Sequence, residues 1–173
     1  ALALAHLCGP EAEPRGQVYS AAADRNQAAL IYHEMKAIIQ AVPELERRII
    51  VRDFNKHLED IETGSIYMAL SADAGTKHGL SASFVVYDEL AQAPDRKLYD
   101  VLATSMGARA EPLMIVISTQ SSDPHSVMSE LVDYGVQVRD GVLEDPTFYP
   151  VVYTAPEDAD PWSEDTWFAC NPA

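Results

Sequence analysis

Two short apolar runs set the strongest constraint on this chain: "SFVVYDEL" at 83–90 and "PLMIVISTQ" at 112–120. Strands buried on both faces of a sheet read as continuous apolar runs, without the alternation of a half-exposed strand. Between the two lies "DRKLYDVLATSM", a helical pattern running to Gly107. Strand, helix, strand over this length is the signature of a right-handed crossover between parallel strands. The expected fold is therefore a three-layer α/β/α domain with a mainly parallel sheet of about five strands.

The rest of the chain fits that frame. "ALALAHL" reads as the last turns of an apolar helix whose beginning is missing, ended by Gly9 and Pro10. "QVYSAAA" at 17–23 reads as a short buried strand. Asp24 is placed to cap the helix "RNQAALIYHEMKAIIQAV", whose Leu30, Ile31, Met35, Ile38 and Val42 recur at helical spacing. Thr63-Gly64 is a turn signal and "SIYMAL" a strand, which predicts a small β-hairpin excursion around them. Asp123-Pro124 opens a further helix with Asp123 as its cap, and "TFYPVVYTA" at 147–155 reads as a final strand. An acidic loop and a short helix capped by Ser163 follow. We expect one domain over 1–173: a helix tail at 1–8, a core at 17–155 and an acidic segment at 156–173.

Charge and cysteine usage exclude some functions. Twelve basic residues against 27 acidic ones give a net charge of −15. That argues against a dedicated nucleic-acid-binding domain, which carries a basic stripe. Cys8 and Cys170 are the only cysteines and have neither zinc-ligand nor disulfide-framework spacing, in keeping with a reducing compartment. The apolar start has no positive flank and no signal-peptide cleavage pattern, and no run approaches the ~18 apolar residues of a membrane span.

A parallel sheet lines up the carboxyl ends of its strands on one edge, where ligands gather. The loops after "QVYSAAA", "SFVVY" and "IVIST" would meet there. Asp88 and Glu89 sit on the second loop, and Ser118, Thr119 and Gln120 on the third. Nucleoside triphosphate hydrolysis needs such a set. One acid positions the magnesium ion, a second orients and polarises the attacking water, and a neighbouring hydroxyl or amide contacts the terminal phosphate. The competing reading is that two acids after a strand only cap the next helix. The phosphate loop G-x-x-x-x-G-K-[ST] occurs nowhere in the 173 residues, and "AGTKHG" has the wrong spacing for it.

Taken in order, "VYSAAADRNQA", "ALSADAGTKHGLSASFVVYDEL", "MGARAEPLMIVIST" and "TWFACNP" resemble the ATPase domain of phage and prophage large terminase subunits. The resemblance runs from about Gln17 to the end of the chain. It implies a P-loop NTPase sheet of the ASCE type, with ATP and Mg2+ as ligands. Asp88 would be the magnesium-associated acid, acting through water, and Glu89 the catalytic carboxylate. Ser118, Thr119 and Gln120 would be the motif coupling hydrolysis to movement. Lys77 and His78 fall where relatives place a phosphate-sensing arginine, although neither has arginine's planar fork. Arg109, read as an exposed residue after a helix end, is a candidate contact to a neighbouring subunit or to DNA.

The resemblance further implies a homo-oligomeric ring in the bacterial host cytoplasm. That ring would act on double-stranded DNA, weakly and without sequence preference, with the portal protein and the small terminase subunit and with no membrane. The phosphate loop would precede Ala1 and a nuclease domain would follow Ala173, so these residues alone would bind ATP feebly. Two alternatives stand beside this reading: a helicase-like ATPase of the same broad class, and a non-catalytic scaffold that keeps the fold.

Overall fold

The computed structural model describes residues 1–72, 79–156 and 158–171, and their chain contacts divide it into two compact units, 1–128 and 129–173. The division falls inside the span read as one core, and each unit is described by itself.

In the first unit the described strands form one six-stranded sheet. They are β1 (Gln17–Ala22), β2 (Ile49–Arg52), β3 (His57–Asp60), β4 (Ile66–Ser71), β5 (Phe84–Asp88) and β6 (Leu113–Ile117), in the order β2-β3-β4-β1-β5-β6. β4, β1, β5 and β6 run parallel; β2 and β3 make the expected hairpin and join the sheet antiparallel to β4. The sheet thus has one strand more than expected, because the excursion extends the main sheet. Gly64, at φ +70, supplies the left-handed residue at the turn into β4.

Register assigns the two faces. Val18 of β1 lies beside Tyr67 of β4 and Phe84 of β5, and Phe84 beside Leu113 of β6, so their side chains share one face. α1 (Leu2–Cys8) and α2 (Arg25–Ala41) cover it, and Leu4, Leu7, Tyr32, Met35 and Ile39 form one core with Val18, Tyr67, Phe84 and Val86. Tyr87 lies on the other face, where Tyr99 of α4 (Lys97–Ser105) approaches it at 6.5 Å between ring centres. Helices on both faces complete the three layers. α2 starts where expected: Asp24 accepts from the backbone N–H of Asn26 and of Gln27 at 2.8 and 3.0 Å. Pro43 follows its end, at the first position of a separate short helix, α3 (Pro43–Arg48).

β6 departs from the sequence reading. It is the edge strand among the described residues, and Leu113 and Ile117 are 43% and 58% exposed. An apolar run reports the hydrophobicity of a strand, not the number of its neighbours.

In the second unit, α5 (Val127–Arg139), whose first two residues belong to the first unit, is followed by an irregular segment and α6 (Glu164–Cys170). The strand expected at 147–155 is absent. Thr147 is drawn into a turn instead, its N–H and hydroxyl donating to Asp145 at 2.9 and 2.7 Å. Pro150 removes a ladder donor, and the described residues of the unit offer no strand to pair with. Phe148 packs edge-on against Tyr134 at 5.1 Å. The helix expected to open at Asp123-Pro124 begins at Val127; Asp123 accepts locally from the N–H of His125. Ser163 precedes α6, but its side chain makes no capping bond.

The hairpin is tied to α3 by a charged pair. Arg48 donates to both carboxylate oxygens of Asp60 at 2.6 and 2.7 Å, and the Thr63 hydroxyl donates to Asp60 at 2.6 Å. Asp60 is fully buried. Burial alone would raise its pKa, but the bonds from Arg48, Thr63 and the Glu62 N–H hold it down to about 2. A folded-state pKa below the unfolded one adds stability above about pH 4 that is lost as pH falls towards 2. Asp60→Asn removes the buried, two-point partner of half-buried Arg48 and leaves it only the exposed Glu62 carboxylate at 3.0 Å. It should cost roughly 3 kcal/mol at neutral pH and flatten the acid limb of the stability curve, measured by denaturant unfolding from pH 7 to 2.

Candidate active site

The site is built from the ends of two adjacent parallel strands. Asp88 is the last residue of β5 and lies in register with Ile117, the last residue of β6. Alternation along β5 puts Asp88 on the face of Phe84 and Val86, the face that α1 covers. His6, near the end of α1, stacks on Phe84, the first residue of β5, at 4.0 Å and 11° between ring planes. The end of α1 thus lies over the start of β5.

Glu89 follows in an unusual conformation, with φ 52 and ψ 48 in the left-handed region. For a residue with a Cβ this costs on the order of 1 kcal/mol, and such strain persists only where surrounding bonds enforce it. Both backbone groups of Glu89 are held. Its N–H donates to the carbonyl of Ile117 at 2.8 Å, and its carbonyl accepts from the N–H of Gln92 at 2.9 Å. The second bond closes a 3-10 turn over Leu90–Gln92. Glu89 precedes that turn, yet its side chain makes no capping bond. Glu89 therefore does not cap this turn through a side-chain hydrogen bond.

Among the described residues, neither carboxylate accepts a hydrogen bond or pairs with a cation. Both side chains are half-buried. Two adjacent carboxylates without donors, at the carboxyl edge of a parallel sheet, could hold a hard cation or water. No cluster of three or more His, Cys, Asp or Glu gathers for a metal among the described residues.

Ser118, Thr119 and Gln120 leave the end of β6 beside this turn, and they are not equivalent. The half-buried Ser118 Oγ accepts from the N–H of Ala91 at 2.9 Å and donates to the carbonyl of Thr119 at 2.9 Å. Thr119 and Gln120 are exposed.

Arg109 lies elsewhere and is not the exposed residue expected. Its side chain is 14% exposed. Nε donates to the Ser81 carbonyl and hydroxyl, each at 3.0 Å, one Nη to Glu13 at 3.2 Å and the other to the Arg15 carbonyl at 3.0 Å. These bonds tie together the segments entering β1, β5 and β6, on the sheet edge opposite Asp88. Lys77 and His78 lie outside the described residues. The backbone groups that hold the site, the Ile117 carbonyl and the Ala91 N–H, carry no side-chain signature and were not foreseeable from residue types.

Residues 2–137 match the family model described as the terminase large subunit, ATPase domain. The chain belongs to this family. It is 36% identical over 172 residues to the terminase large subunit of Enterobacteria phage HK97, spanning 98% of this chain and 33% of that protein. The crystal structure of the HK97 large terminase superposes with a TM-score of 0.87 at 35% identity, covering 99% of this chain and 35% of that one. The large terminase ATPase domain of Thermus phage P74-26 superposes with a TM-score of 0.61 at 18% identity, covering 75% of this chain and 55% of that one, and supports the fold alone. The chain thus spans about a third of the length of its HK97 relative.

The left-handed backbone at Glu89 makes a direct prediction. Glycine is at ease there and alanine is not, so Glu89→Gly should be more stable than Glu89→Ala by about 1 kcal/mol. At an ordinary extended or helical position the order is reversed. Thermal unfolding of the two variants decides it.

Proposed function

We propose that this chain is part of the ATP-hydrolysing motor that packages viral DNA into a procapsid, with Asp88 and Glu89 as its chemical centre. The reading is carried by one observation: two carboxylates without partners at the carboxyl end of β5, the second kept in a strained backbone conformation. A sequence selected for stability alone would place glycine or asparagine at Glu89. Family membership supports the same reading.

A magnesium ion bound with the triphosphate would supply positive charge against the charge that develops during transfer. Asp88 is positioned to hold that ion through water. Glu89 is the general base: its carboxylate orients the attacking water and takes up its proton. Thr119 and Gln120, exposed next to the centre, supply a hydroxyl and an amide for the terminal phosphate. With Ser118 they form the motif through which loss of that phosphate is passed to the rest of the motor. Residues 1–173 contain no G-x-x-x-x-G-K-[ST] loop. Without its backbone amides the nucleotide has only the ion at Asp88 and the Thr119 and Gln120 side chains to hold it, so these residues alone would bind ATP feebly.

The intact protein would act in the host cytoplasm as a homo-oligomeric ring, engaging double-stranded DNA non-specifically together with the portal protein and the small terminase subunit. The net charge of −15 leaves the grip on DNA to few residues here or to other parts of the protein.

Glu89→Gln in the full reading frame should still bind MgATP and lose at least about 100-fold in hydrolysis rate. Steady-state turnover with a nucleotide-binding measurement checks both. Equal turnover in parent and variant would remove Glu89 from the chemistry.

A further inference from the structure

We infer that Ser118 is a positioning residue for Glu89, spent on holding the catalytic turn, and that Thr119 and Gln120 alone face the phosphate. This rests on the ATP-hydrolase reading of the site and deepens it. Ser118, Thr119 and Gln120 are adjacent polar residues, but the hydrogen bonds separate them. The Ser118 hydroxyl accepts from the Ala91 N–H and gives its own proton to the Thr119 carbonyl. Its single proton is directed at a backbone carbonyl, so a phosphate oxygen would have to compete for it. Thr119 and Gln120 are exposed, and neither side chain has a hydrogen-bond partner among the described residues.

The Ser118–Ala91 bond matters because of where Ala91 lies. It is the middle residue of the 3-10 turn that follows Glu89. Together with the bond from the Glu89 N–H to the Ile117 carbonyl, it fastens the turn to the end of β6 at two points. Glu89 is in the left-handed region between those points, a conformation that relaxes unless both flanks are fixed. Removing the hydroxyl frees the turn. The backbone of Glu89 then moves towards an ordinary conformation, and the carboxylate swings with it. A displacement of about 1 Å at a catalytic group lowers a rate by up to ~100-fold without abolishing substrate binding. The same bonds give a route for coupling. A shift at the end of β6 that accompanies a change at Thr119 or Gln120 would reach Glu89 through these two hydrogen bonds.

The test uses the full reading frame and compares the parent with Ser118→Ala, Ser118→Thr, Glu89→Gln and the double variant Ser118→Ala/Glu89→Gln. Circular dichroism and the thermal midpoint check that each is folded. In Ser118→Ala, kcat for MgATP should fall by about ten-fold or more with KM changed less than about two-fold. Ser118→Thr, which keeps the hydroxyl, should recover most of the rate. In the Glu89→Gln background, Ser118→Ala should lower the residual rate no further, because the group it positions is already gone. Amide hydrogen exchange gives a readout independent of activity: the turn containing Ala91 should lose protection in Ser118→Ala. Unchanged kcat, unchanged protection of that turn, or a several-fold loss of nucleotide affinity in both backgrounds overturns the proposal and leaves the hydrolase reading standing. A folded parent that binds no nucleotide and does not hydrolyse ATP overturns both.

Discussion

Parallel pairing of β5 between β1 and β6 is the constraint on which the rest of the molecule depends. Register along β5 places Asp88 level with Ile117, and the ladder continues one step further to hold the Glu89 N–H. The same pairing puts Phe84 and Val86 into the core with α1 and α2, and Tyr87 against the opposite layer. Because strand residues alternate faces, a one-residue slip of β5 would move Asp88 to the other side of the sheet and bury the wrong side chains. Register and chemistry are therefore one specification. The core that makes the slip costly also keeps the carboxylates where they are.

Around that strand the two sheet edges divide the labour. At the amino edge, Arg109 binds the segments that enter β1 and β5 with four hydrogen bonds and is nearly buried. That edge is fastened and polar-satisfied. At the carboxyl edge the backbone is held just as firmly, but the side chains of Asp88, Glu89, Thr119 and Gln120 are left without protein partners among the described residues. The two edges thus differ in how far their polar side chains are satisfied within the protein, and the proposed site lies on the less satisfied one.

Much of this was legible in the sequence where local chemistry dominates. The apolar runs located β5 and β6, Asp24 capped α2, and Asp88 and Glu89 lie at the carboxyl end of β5 as the strand reading placed them. What failed depended on neighbours. Residues 147–155 have strand composition, but a strand exists only when paired, and Asp145 and Pro150 take the segment into turns instead. β6 is as apolar as β5 but ends up at an edge, because composition does not count partners. Arg109 followed a helix end and read as solvent-facing; its targets, the Ser81 and Arg15 carbonyls, are backbone groups invisible to residue type. The left-handed backbone at Glu89 was hidden for the same reason, since glutamate gives no hint of positive φ.

The central claim is that the end of β5 holds the metal and the attacking water of a triphosphate hydrolase. A structure of the full-length protein with magnesium and a non-hydrolysable ATP analogue tests it most directly. The account predicts the ion within one bridging water of Asp88, and a water between the Glu89 carboxylate and the terminal phosphate. A nucleotide bound away from the carboxyl edge of β5 and β6, with both carboxylates left facing solvent, would contradict it.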